Sequence, residues 1–185
     1  MDYSNRVPLR VQAHVDLVDQ IARFDTFRVC DRLYTADLLI PQLTIRAKDL
    51  ILEACQCSAH ILYWGLEASR AKKHVEMSEH AYRSWRERAW LGFKTSAAGE
   101  TKAPSDAMCE KLYRTLPEYG DWQQRRVESQ HGADCAHAVY EAFRAKSELI
   151  KTIERIMRDE TGGAYYVVED APRTIPRSPT LGEVA

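Results

Sequence analysis

The residues best placed to do chemistry form one basic and aromatic run. Arg70, Lys72, Lys73 and His74 are followed by Arg83, Arg86 and Arg88, interleaved with Tyr82, Trp85 and Trp90, and Arg125 and Arg126 come later in the chain. Single-stranded nucleic acid offers charged phosphates and exposed base faces, and a surface that binds it mixes cations with aromatic platforms. The opposing reading is an exposed, salt-bridged helix face, because Glu67, Glu76, Glu79 and Glu87 lie in the same run.

Other candidates carry less. Cys55 and Cys57, with His60 beyond them, lie on a helical segment. Each residue turns the helix by about 100°, so the two sulfurs point about 200° apart and do not grip one ion. A structural zinc site wants four ligands, and the register derived below does not bring Cys135, His131 and His137 to them. These cysteines read as small buried apolar groups, with no metal and no cofactor expected. Gly99-Glu100-Thr101-Lys102 reads as a plain turn, since a phosphate loop needs a longer glycine-framed run between a strand and a helix. No G-x-S-x-G or H-E-x-x-H motif occurs, and the paired carboxylates Asp159-Glu160 sit at a helix end, so no enzyme is expected.

The element that must position the basic run is a helix expected over Thr44–Phe93. Ala47, Leu50, Ala54, Cys57, Ile61, Trp64, Ala68, Ala71, Val75, Ser78, Tyr82, Trp85, Ala89 and Gly92 recur in steps of three and four, and all but Ser78 and Gly92 are apolar. This seam requires a partner helix, from the same chain or another copy. It also places Tyr82 and Trp85 in the core rather than on a base-stacking surface. Thr44 is the expected N-cap. Residues 95–104 have turn composition. Ser105 is expected to cap a short helix, and Thr115-Leu116-Pro117-Glu118 to open a second long helix with a capping box. That helix runs to Gly162-Gly163, with an apolar stripe at Ala136, Val139 or Tyr140, Phe143, Ile150, Ile153 and Met157. An antiparallel register setting Trp90 opposite Leu112 places Ala68 and Ala71 across from Gly132–Ala133, where small residues permit close approach, and Leu50 near Thr152–Ile153. The polar middle of the second helix implies that another subunit finishes part of the seam.

The fold class expected is therefore all-α: a long antiparallel, coiled-coil-like helical hairpin over 44–163. Two short helices, Val11–Phe27 and Cys30–Ile40, precede it in segment 1–43, the second stopped by Pro41. Residues 164–185 are expected to be a short extended segment, Ala164–Val168, and a flexible proline-bearing tail. The chain has 185 residues, a net charge of −1 and five cysteines. That balance gives no global basic field, so nucleic-acid binding must be local. An odd, scattered cysteine set suits reduced thiols in a cytoplasm. No apolar run is long enough to span a membrane, and the N-terminal residues lack a signal-peptide pattern.

In order and texture, residues 44–160 resemble small helical phage recombination mediators of the UvsY type. The resemblance lies in Ile61-Leu62-Tyr63-Trp64 followed by Ser69-Arg70-Ala71-Lys72-Lys73, then Pro104–Arg114, Pro117-Glu118-Tyr119, and Tyr140–Lys146 on the return helix. It implies a non-enzymatic, ring-like homo-oligomer that binds single-stranded DNA and loads a RecA-like recombinase onto DNA covered by single-strand-binding protein. The family's basic stretch maps onto Arg70, Lys72 and Lys73; Arg83, Arg86, Arg125 and Arg126 are added from charge and register. The chain departs from the family in its greater length, its N-terminal segment, its tail and its acidic balance. The rival expectation is a coiled-coil adaptor that oligomerises and holds a protein partner without DNA.

Overall fold

The computed structural model describes residues 6–46, 49–96 and 104–160. These are mostly helical. In chain order they form α1 (Arg6–Ala22), β1 (Thr26–Val29), β2 (Arg32–Thr35), α2 (Ala36–Leu43), α3 (Leu50–Ser96), α4 (Asp106–Arg114) and α5 (Glu118–Glu160). The expected features at Ala47, Gly162-Gly163, Ala164–Val168 and the tail lie outside the described residues.

At 1.5 Å per residue, α3 is about 70 Å long and α5 about 65 Å. They pack along each other through Glu53 with Lys146, Cys57 with Phe143, Gly65 with Tyr140 and Glu79 with Arg126. Residue numbers rise along one helix as they fall along the other, within about one helical turn of the register expected from the sequence. The seam on α3 is real: Leu50, Cys57, Trp64 and Ala71 are buried at intervals of seven, and the burial then passes to Tyr82. A straight helix drifts about 20° per heptad against a strict seven-residue repeat, which accounts for that change of column. On α5, Ala136, Val139, Phe143 and Ile150 are buried as expected, whereas Met157 is exposed.

The N-terminal segment departs most from expectation. The first helix ends at Ala22, and residues 26–35 form a two-stranded antiparallel sheet, with Phe27 opposite Tyr34 and Val29 opposite Arg32, where a helix was expected. Thr26-Phe27-Arg28-Val29 alternates exposed and buried, the period of a half-buried strand. Cys30 begins the turn at a φ of 52°. The fold is thus mostly α with a small sheet, not all-α. Pro41 lies inside α2; two residues from that helix's end it forgoes a single amide bond. Thr44 is the C-cap of α2, not the N-cap of α3. Ser105 caps α4 as expected, its side chain accepting from the Met108 amide. Thr115 forms no capping box; its hydroxyl donates to the Leu112 carbonyl at 2.7 Å and closes α4.

The sheet finishes the middle of the seam, the place where another subunit was expected. Trp64 is 2 % exposed, with its ring centroid 4.8 Å from Tyr34 and 6.3 Å from Phe27. Gly132 serves this docking rather than a close approach of α3: a Cβ there would stand 2.3 Å from the Arg28 carbonyl oxygen. Phe27, Val29, Leu39 and Leu43 share one core with Trp64, Val139 and Phe143. Residues 26–43 therefore pack as part of the helical body.

A buried ionic junction joins α2, α3 and α5. The Lys146 ammonium donates to the Gln42 carbonyl at 2.7 Å, the Thr44 carbonyl at 3.0 Å and the Glu53 carboxylate. Its three protons thus meet the open carbonyls at the end of α2 and an acid in the first turn of α3, both favoured by the helix dipoles. His14 adds an Nε2–H bond to the Leu43 carbonyl at 3.1 Å. Burial, and then the nearby Lys146 charge, lower the pKa of His14 despite that bond, and the same two causes lower that of His60. Both imidazoles bind protons less readily in the folded state than in the unfolded one. Their contribution to stability is complete above the unfolded pKa of 6.5 and is lost as the pH falls from there through the lowered folded value. The denaturation midpoint is therefore expected to be lower at about pH 5.5 than at about pH 7.5; equal midpoints in an Asp/Glu-independent window would contradict this.

Candidate nucleic-acid interface

Lys72 and Lys73 are consecutive in the chain but point about 100° apart on α3. The buried seam through Ala71 and Tyr82 divides the basic run into two flanks. His74, Met77 and Ala81 lie on one flank and line a cleft, and Arg70 shares their side by helical spacing. Lys72, Glu79, Arg83 and Arg86 lie on the other. Lys73 stands on the ridge facing away from the core.

The structure spends two of the seven candidate cations on ion pairs. Arg70 lies 2.6 Å from Glu67, a carboxylate only 3 % exposed that Arg32 also approaches to 3.4 Å. Arg126 lies 2.6 Å from Glu79 and sits over the Tyr82 ring at 4.6 Å. Lys72, Lys73, Arg83 and Arg86 are exposed and make no ion pair among the described residues. Glu110 on α4 is held below the usual carboxylate range by hydrogen bonds from Tyr113 and Arg114, and more weakly by the charge of Arg86, which places Arg86 toward α4. Arg125 is exposed, with its guanidinium 5.3 Å from the centre of the Trp122 ring. Arg125 and Arg126, neighbours in sequence, thus serve opposite flanks.

The cleft holds about 820 Å³ between β1, α3 and α5. Its cationic and aromatic wall comprises Arg28, His74, Trp122, Arg125 and His131. Sequence reasoning missed Arg28, Trp122 and His131. The available signal was the alternation of Thr26–Val29 ahead of a two-residue turn, which places Arg28 on a strand beside α5.

Tyr82 and Trp85 behave as core residues, as their seam positions required. Tyr82 is buried, and Trp85 packs within 5.8–6.2 Å of Tyr82, Trp122 and Tyr113. Cys57 is buried and its thiol donates to the Phe143 carbonyl, while Cys55 is exposed on the far side. Burial pushes the Cys135 thiol up to about 11, so it is a neutral core group beside His131. Among the described residues no helix is long and apolar enough to cross a membrane. No family model, curated protein or solved structure matches this chain.

Proposed function

We propose that this protein is a non-enzymatic scaffold that binds single-stranded DNA and, in homo-oligomeric form, helps load a RecA-like recombinase onto DNA covered by single-strand-binding protein. In this reading α3 and α5 act as an antiparallel, coiled-coil-like helical hairpin that holds the basic surface rigid. The observation that carries it is a set of exposed cations that make no ion pair among the described residues: Lys72, Arg83 and Arg86 on one flank of α3, Lys73 on its outer ridge, and Arg125 on α5 at a cleft walled by Trp122. Each phosphate neutralised on a single strand releases condensed counterions, giving a slope of about −0.7 in log affinity against log salt per contact. A monomer with a few such contacts binds weakly, and several copies on one strand multiply that affinity. The recombinase and the single-strand-binding protein enter through the family resemblance.

Fluorescence anisotropy with a short single-stranded oligonucleotide tests this reading. Binding at low salt that weakens as salt rises is expected, with a further loss on combining Lys72→Ala and Lys73→Ala. Absence of binding at low salt would remove the proposal.

A second reading, a protein adaptor, is favoured by an apolar row on the outward side of α3. Ile51, Leu52, Leu62 and Leu66 are 66 %, 56 %, 67 % and 52 % exposed. An adaptor would keep its assembly and partner binding when the lysines are neutralised.

A further inference from the structure

We infer that the cleft between β1, α3 and α5 is a nucleobase pocket, taking one unstacked base of the bound strand with its phosphate at the rim. This inference rests on the single-strand-binding reading above and specifies how the strand is held.

The cleft is a product of the fold rather than of a mobile loop. Gly132 lets the β1 backbone lie against α5, and the core residues Phe27 and Val29 anchor that strand from behind. The space left between β1 and the 71–81 stretch of α3 is about 820 Å³, within the range of about 300–1,000 Å³ that encloses small organic groups. It exceeds what a lone anion needs.

Its chemistry matches a planar heteroaromatic group carrying negative charge. Met77 and Trp122 offer a polarisable sulfur and an aromatic face, both favourable to a π system. Ser78, Ser129 and His74 offer hydrogen-bonding groups for base edges. Arg28 and Arg125 outnumber Glu128, so the lining favours an anion. The Arg125 guanidinium already covers the Trp122 ring, with its carbon 5.3 Å from the ring centre. That face is where a base stacks, and the displaced guanidinium then reaches the phosphate of the same nucleotide. Lys73, one turn from Met77 on α3, continues the cationic track outside the cleft. An uncharged apolar ligand would leave the charge of Arg28 and Arg125 unanswered, and a simple anion would leave the aromatic wall unused.

The test compares an intact single-stranded oligonucleotide with an abasic one of equal length, which keeps the phosphates and removes the bases. Stacking of one base predicts that the intact strand binds about tenfold more tightly, and that Trp122→Ala collapses this ratio of intact to abasic affinity toward one. Trp122 also packs on Trp85 at 6.0 Å, so the substitution could disturb the fold. A second measurement on the unsubstituted protein avoids this: photocrosslinking of an oligonucleotide carrying 5-iodouracil, with peptide mapping. Crosslinks on the 26–33, 74–81 or 122–131 segments support the pocket. Crosslinks confined to other segments overturn it, whichever oligonucleotide binds better. Equal binding of the two oligonucleotides also overturns it and leaves the single-strand-binding proposal standing. No binding of either at low salt overturns both.

Discussion

Lys146→Met is expected to lower the stability of the fold by about 3–5 kcal/mol, the usual consequence of removing one partner from a buried ion pair. Lys146 is 3 % exposed and Glu53 is 6 % exposed. Without the ammonium, the Glu53 carboxylate keeps, among the described residues, only Arg46, at 4.0 Å and largely in solvent. The Gln42 and Thr44 carbonyls lose their side-chain donor as well. The damage falls where α2, α3 and α5 meet, so it should appear in global unfolding rather than as local fraying. Combining Glu53→Leu with Lys146→Met should recover part of the loss, because an apolar pair of similar size removes the stranded charge. It should not recover all of it, because the two carbonyls stay without that donor. Urea denaturation of the three variants measures this. A loss below about 1 kcal/mol for the single substitution would place the pair among ordinary surface ion pairs and contradict the junction.

Gly132→Ala is expected to destabilise the protein although it improves helix propensity. Two effects oppose each other at this position. Alanine in a helix interior gains about 1 kcal/mol over glycine. Against this, the new Cβ would stand 2.3 Å from the Arg28 carbonyl oxygen, more than an ångström inside ordinary contact. The obstacle is the backbone of a paired strand, so no side-chain rotation relieves it. β1 must move, taking the buried Phe27 and Val29 with it. Overpacking of this kind typically costs about 1–3 kcal/mol, and displacement of an anchored strand puts the net loss toward the upper part of that range. The internal control is Gly120 on the same helix, where an added Cβ meets nothing within 4 Å. Gly120→Ala should be neutral or slightly stabilising. The same thermal or urea denaturation compares both variants, and equal behaviour would refute the close-approach role. If the cleft holds a base, Gly132→Ala should also weaken binding of an intact oligonucleotide more than of an abasic one.

The long seam was legible because its period persists for many turns. Leu50, Cys57, Trp64 and Ala71 announce burial by spacing alone, and an antiparallel register follows from chain order and a short connection. The Ser105 cap was legible because its chemistry is local. The sheet was misread because its strands have four residues each, too few to impose a period on the apolar residues around them. Its burial depends on Gly132 and Trp64, both distant in sequence. The Lys146–Glu53 junction was invisible for a related reason. Its partners lie 93 positions apart, and each reads in isolation as a solvated helix charge. The division of the basic run was legible in principle, since the 100° step of a helix separates Lys72 from Lys73. Arg28 and Trp122 join that surface only through the tertiary fold.

The central claim is that exposed cations on α3 and α5 hold single-stranded DNA. The most direct measurement is the affinity of the unsubstituted protein for a short single-stranded oligonucleotide across a series of salt concentrations, with light scattering to follow assembly. The account predicts binding at low salt, a linear fall of log affinity with log salt, and a shallower slope when Lys72→Ala and Lys73→Ala are combined. An absence of binding at low salt, or a slope unchanged by the two substitutions, would contradict it.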